Sequence, residues 1–203
     1  MGRKRQPRFI KKEKIIFCEG DTERLYFNML KRKYNGSTVS VKAINKHGQK
    51  GTKLISEAVN WILDHKKKID GEVYVCFDDD SQKQDELLSS LKLAREHQIQ
   101  IIYSKVCFEV WLLLHFQPAT SLMPWLEKQW LFDSLSKELA VDHYEKLKAT
   151  DLTAHYEDRI ITADTNCQLL TKDQDLSSKV ILDQVPYTNL NLAITKIFEI
   201  DSF

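Results

Sequence analysis

The stretch Val73-Tyr74-Val75-Cys76-Phe77-Asp78-Asp79-Asp80 decides the fold. Its apolar run is too short for a helix and has no polar side, so it reads as a strand buried on both faces, as in a parallel sheet. It stops abruptly in acid. Upstream, Ile15-Ile16-Phe17-Cys18 followed by Glu19-Gly20-Asp21 repeats the arrangement, and a tight turn after Cys18 is expected. Between these two strands, Leu25, Tyr26, Met29, Leu30 and Tyr34 recur at helical spacing, with Asp21 or Thr22 able to cap that helix. Residues 39–44 partly alternate, as a strand does. A basic loop, Asn45-Lys46-His47-Gly48-Gln49-Lys50-Gly51, then leads into a second helical stripe of Leu54, Ile55, Ala58, Val59, Ile62 and Leu63.

Past the triple acid, Leu87, Leu88 and Leu91 mark a third helix and residues 99–103 a fourth strand. Residues 108–116 form a helix that is apolar on nearly every side except at Glu109 and His115. Strands alternating with helices define an α/β fold: a parallel sheet of about four strands flanked by helices, with a helical C-terminal extension. The expected layout is a basic tail over residues 1–14, a core over 15–117 and an extension over 118–203 packed on that core.

A chain of 203 residues with 42% hydrophobic residues can bury one sizeable core. No apolar run approaches the roughly 18–20 residues of a membrane helix, and the opening MGRKRQPRFIKKEK lacks the apolar stretch of a secretory signal, so a cytoplasmic protein away from membranes is expected. Cys18, Cys76, Cys107 and Cys167 are too scattered for a zinc knuckle or a disulfide framework and read as buried thiols. The net charge of +1 conceals an asymmetry: residues 1–68 hold 18 Lys and Arg against 6 Asp and Glu, and residues 69–203 hold 12 against 23. A basic first third suits a polyanionic partner, with nucleic acid the natural candidate, DNA and RNA alike.

The acids gain meaning from position. If the first and third strands are neighbours, Glu19 meets Asp78 and Asp80 at their C-terminal ends, where ligands gather in such sheets. Side chains alternate along a strand, so Asp78 and Asp80 can share a side while Asp79 points away. Carboxylates this close repel unless a cation intervenes, and hard oxygen ligands suit Mg2+ or Mn2+. Such a site is equipped for phosphodiester hydrolysis. A lone D-x-D is a weak sign, since nucleotide-sugar transferases use one too; the pairing with Glu19 strengthens it.

Three segments, Cys18–Phe27 (CEGDTERLYF), Val73–Asp80 (VYVCFDDD) and Cys107–Phe116 (CFEVWLLLHF), resemble the RloB family in their order along the chain. Pro186-Tyr187-Thr188-Asn189-Leu190 is similar to that family's N-P-x-T segment before its last helix. The resemblance implies a fold akin to the Toprim domains of topoisomerases, primases and OLD nucleases, with Glu19 matching the glutamate after the first strand and Asp78 and Asp80 the D-x-D. It further implies a role in bacterial antiphage defence by abortive infection, often beside an ATPase partner encoded nearby. Two departures stand out: Ser104-Lys105-Val106-Cys107 replaces S-N-P-C, and Val185 stands where N-P-x-T has Asn.

The expected catalytic set is Glu19, Asp78, Asp80 and Glu109, with the metal on Glu19, Asp78 and Asp80. Glu109 would be a costly buried charge unless it is used or favoured by the helix dipole. Glu23, at a helix start, could reach the ion or could simply answer that dipole. His115 reads more readily as a core histidine than as a catalytic one. Lys46, His47, Lys50, Lys53 and Lys105 are candidate nucleic-acid contacts, Lys105 also as a stabiliser of transition-state charge. Trp111, Trp125 and Trp130 read as core or interface residues. The expected activity is a Mg2+-dependent nuclease. The alternative is a non-catalytic metal- or nucleotide-binding subunit regulating an ATPase, and homo-oligomers are compatible with either.

Overall fold

The computed structural model describes residues 12–34, 39–45, 51–65, 71–79, 83–120, 123–148, 150–172 and 186–200. Its centre is a four-stranded, wholly parallel sheet of β1 (Lys12–Cys18), β2 (Val39–Asn45), β3 (Gly71–Asp78) and β4 (Gln100–Ser104), in the order β2-β1-β3-β4. Helices α1 (Asp21–Lys33), α2 (Gly51–His65) and α3 (Gln84–Glu96) connect the strands. They are followed by α4 (Glu109–Leu114), α5 (Lys128–Glu138), the short α6 (Tyr144–Leu147), α7 (Ile160–Thr171) and α8 (Leu190–Phe198). The α/β architecture expected from the alternating pattern is the one observed.

Strand periodicity sorts the core into two halves. Ile16, Cys18, Tyr74, Cys76 and Ile102 face a cluster built with Tyr26, Phe27, Met29 and Leu30 of α1, all of α4 beyond Glu109, and residues from α5, α7 and α8. Ile15, Phe17, Val73, Val75, Phe77 and Tyr103 point the other way, onto Leu54, Ile55, Ala58 and Val59 of α2 and Leu87 and Ala94 of α3. The helical extension and the α/β core therefore share one apolar cluster. Because β1 lies between β2 and β3, the chain leaves it on one side and returns on the other, and the strand ends there form a switch point. Cys18 pairs in register with Cys76, which brings the residues after both strands together.

Several local expectations are corrected. The N-cap of α1 is Gly20 in an extended conformation, with no side-chain cap; Asp21 pairs with Arg24 at 2.8 Å, and the Thr22 hydroxyl donates to the Lys148 carbonyl at 2.8 Å. Leu63 and Leu88 lie at the solvent edges of their helical stripes and are exposed. β1 begins at Lys12, within the stretch assigned to the tail, and Lys14 is only 1% exposed. Its ammonium is satisfied by the Lys196 carbonyl at 2.7 Å and Glu199 at 3.2 Å.

The Pro186–Leu190 segment closes the outer edge of β4. Ser104 bridges Thr188 in antiparallel fashion, and the Asn189 amide imitates a strand: it accepts from Tyr103 N–H at 2.8 Å and donates to the Ile101 carbonyl at 3.0 Å. Val106, where the RloB pattern has proline, sits at φ 79°, a value closed to proline and strained for a β-branched residue. The loop before Glu109 thus takes a path that an S-N-P-C sequence could not follow. No helix among the described residues is long and apolar enough to cross a membrane, and all four cysteines are buried and free.

Candidate metal centre

Glu19 follows β1 directly and Asp78 closes β3, so neighbouring strands deliver both carboxylates to one sheet edge. Glu19 Oε2 accepts the backbone N–H of Asp78 at 3.2 Å, which locks the two strand ends together. Glu23 comes from the first turn of α1, four residues after Glu19, and completes the group. One oxygen from each of Glu19, Glu23 and Asp78 lies within 4.8 Å of the others. The three residues are 6%, 6% and 8% exposed, so their charges are held in a medium that solvates them poorly.

That environment is visible in their protonation. Burial first, then the charges of Glu23, Glu19 and Glu109, pushes Asp78 well above the usual carboxylate range. Burial, with Glu109 adding to it, raises Glu23 to about 7, against the opposing pull of backbone hydrogen bonds and of Lys148. Carboxylates that resist ionisation only because of one another and of burial fit a hard divalent cation, whose charge removes both penalties. Gly20 leaves room for this packing: a Cβ there would stand 3.1 Å from Glu23 Oε2.

Glu109 opens α4 beside the group, 4% exposed, and its charge is felt at both Glu23 and Asp78. Its Oε1 accepts from the Tyr144 phenol at 3.3 Å. Asp79 turns away, as the alternation of side chains requires, and pairs with Lys105 at 2.7 Å. Lys105 is thereby engaged by a carboxylate. Lys53 is exposed on the first turn of α2, at the same end of the sheet as the carboxylates. Asp80, Lys46, His47 and Lys50 lie outside the described residues.

His115 takes no part in the site. It is fully buried, with Nε2 3.0 Å from the Tyr26 hydroxyl and Nδ1 3.0 Å from the Trp111 carbonyl, and burial lowers it to about 3. A neutral ring donating to the carbonyl and accepting from the phenol satisfies both contacts. Trp111 and Trp125 are buried in the core, and Trp130 packs partly buried against it.

The extension adds residues that no sequence motif marks. Lys148 is tied through its carbonyl to Thr22, next to Glu23, and its ammonium lies 5.2 Å from the centre of the Phe132 ring. Lys128 approaches the same ring at 6.0 Å. Phe132 in turn packs on Tyr144 with ring centres 5.7 Å apart. The Thr22–Lys148 contact joins segments 126 residues apart, where spacing carries no signal.

The sequence model of a family described as RloB-like protein matches residues 14–197, nearly the whole chain. No curated protein and no solved structure matches it.

Proposed function

The chain belongs to the RloB-like family, and on that premise we propose that it is a divalent-metal-dependent nuclease of the Toprim type, hydrolysing phosphodiester bonds of DNA or RNA in bacterial antiphage defence. The observation that carries this reading is the convergence of Glu19, Glu23 and Asp78, three buried carboxylates whose oxygens lie within 4.8 Å of one another. Proteins place buried like charges together at such a cost chiefly where a cation or a reaction uses them.

In this reading Glu19, Glu23 and Asp78 would hold Mg2+ or Mn2+, with Asp80 as the further D-x-D ligand that the resemblance implies. The bound cation supplies a Lewis acid for a phosphate oxygen and lowers the pKa of a water molecule. The protein's own groups do the rest. Glu109, beside the cluster and oriented by Tyr144, accepts the proton of the attacking water. The Glu19 contact with the Asp78 backbone holds the two ligand-bearing strand ends in register. An ATPase partner, as the family resemblance implies, would govern when the site acts.

The test is a cleavage assay of the purified chain with DNA, transfer RNA and other RNAs, in Mg2+ or Mn2+, with and without the partner. Metal-dependent cleavage supports the nuclease. Silence across every substrate and partner condition, with metal binding retained, would establish instead a regulatory metal-binding subunit.

A further inference from the structure

Helix α6 is a single turn, and Tyr144 at its start sends its phenol to Glu109 at 3.3 Å. Lys148 caps the other end, still in helical conformation and four residues after Tyr144, so it projects from the same side of the turn. Phe132 of α5 backs both residues: its ring centre lies 5.7 Å from that of Tyr144 and 5.2 Å from the Lys148 ammonium. The Lys148 carbonyl accepts from the Thr22 hydroxyl at 2.8 Å, which pins the backbone of this lysine to the first turn of α1, next to Glu23. Lys148 is half-buried, and its charge reaches the centre, opposing the burial that raises Glu23. No carboxylate pairs with its ammonium among the described residues. Lys105, directly after β4, is by contrast paired with Asp79 at 2.7 Å.

We propose that Lys148 is a catalytic residue of the phosphodiester hydrolysis, its ammonium donating to a non-bridging oxygen of the scissile phosphate as negative charge builds there. In that step a water oxygen bonds to phosphorus while the bond to the departing oxygen breaks. Glu109 takes the proton of the water, the departing oxygen takes one from solvent, and Lys148 keeps all of its own. Glu19, Glu23, Asp78 and Glu109 surround the reaction with carboxylates, so a phosphate there gains most from a cation already fixed in place. Because the charge on the oxygen grows toward the ammonium, the contact is worth more in the transition state than in the bound substrate. The Phe132 ring suits this task, since an aromatic face orients an ammonium more weakly than a carboxylate would and leaves its donors for an anion. The inference rests on the nuclease reading for the identity of the reaction.

The experiment compares the full chain with Lys148→Met, which keeps an apolar stem over Phe132 and removes the charge. Cleavage of duplex DNA and transfer RNA is followed at saturating Mg2+, Mg2+ affinity by calorimetry, and stability by thermal melting. Turnover of the variant should fall about 100-fold with KM within about threefold of wild type. Its melting should stay within a few degrees of wild type, and its Mg2+ binding should be unchanged or tighter, because a positive charge has left the neighbourhood of Glu23. Lys148→Arg should recover about tenfold of the loss, the charge being kept in a different shape. Lys92→Met, on α3 across the sheet, should leave every reading unchanged. Wild-type turnover in Lys148→Met would mean that the lysine only offsets the carboxylates, and a raised KM at unchanged turnover would make it a ground-state contact; either overturns the proposal while the nuclease reading stands. A joint loss of turnover, stability and Mg2+ affinity would make its role structural and overturn it equally. If the wild-type chain cleaves neither substrate, the nuclease reading fails and takes the proposal with it.

Discussion

The phenol of Tyr144, in the helical extension, meets Oε1 of Glu109, at the start of the buried helix α4, at 3.3 Å. The contact makes the extension part of the site instead of an appendage to it. Tyr144 is itself buried, so the hydrogen bond is made where water competes little. Tyr144→Phe keeps the ring on Phe132 and removes only the donor. The variant should melt within a few degrees of wild type and bind Mg2+ with unchanged affinity. Its turnover should fall about tenfold, equivalent to about 1.4 kcal/mol of barrier, with KM unaltered. Equal loss in turnover and in metal affinity would show that Glu109 acts as a ligand.

Gly20 probes the room around Glu23. Its backbone is extended, so alanine adds no strain there, but its Cβ would lie 3.1 Å from Glu23 Oε2. Gly20→Ala should leave thermal stability close to wild type and weaken Mg2+ binding by roughly 1 kcal/mol, or about fivefold, as the carboxylate is displaced. Calorimetric titration reads the change directly.

The raised Glu23 gives the metal-free protein a defined pH response. A carboxyl whose pKa rises on folding, here from 4.5 to about 7, binds more protons in the folded state over that interval, so its contribution to stability declines as pH rises from 4.5 to 7. A shift of this size corresponds to roughly 3 kcal/mol. His115, lowered from 6.5 to about 3, acts in the opposite sense, losing stability as pH falls below 6.5. Glu23→Gln separates the two: its stability relative to wild type should increase between pH 4.5 and 7 without metal. Saturating Mg2+ should reverse that order. Denaturant titrations at several pH values, each with and without metal, provide the check.

Gly71 tests the sheet alone. A Cβ at this first residue of β3 would stand 1.8 Å from the Glu13 carbonyl oxygen, a backbone atom that cannot move without separating β1 from β3. Gly71→Ala should destabilise the fold by about 3 kcal/mol or more, seen as a lower midpoint in urea.

Much of this was readable in the sequence where local chemistry dominates. Short apolar runs stopped by acid marked β1 and β3, and the parallel sheet followed from their alternation with helices. Their adjacency, on which the meeting of Glu19 and Asp78 depends, was a condition that only the register of Cys18 with Cys76 supplies. Glu23 is ambiguous in the sequence because an acid in a first helical turn has a sufficient electrostatic reason to be there; burial is what separates a ligand from a dipole partner. Capping misled, since Asp21 and Thr22 have the right chemistry yet Arg24 and the Lys148 carbonyl claim their side chains. Tyr144 and Lys148 reach the site through contacts of long sequence separation, in segments whose periodicity announces nothing. The ion pair of Lys105 with Asp79 cannot be read from spacing.

The most direct test of the central claim is cleavage by a Glu19→Gln/Asp78→Asn variant. These substitutions keep size and shape while removing two charges from a crowded buried group, so the folded state should be retained and, without metal, made more stable. The predicted result is Mg2+- or Mn2+-dependent cleavage by the wild-type chain, abolished by chelator, and none by the variant despite a normal melting transition. Cleavage by the folded variant at the wild-type rate would contradict the account.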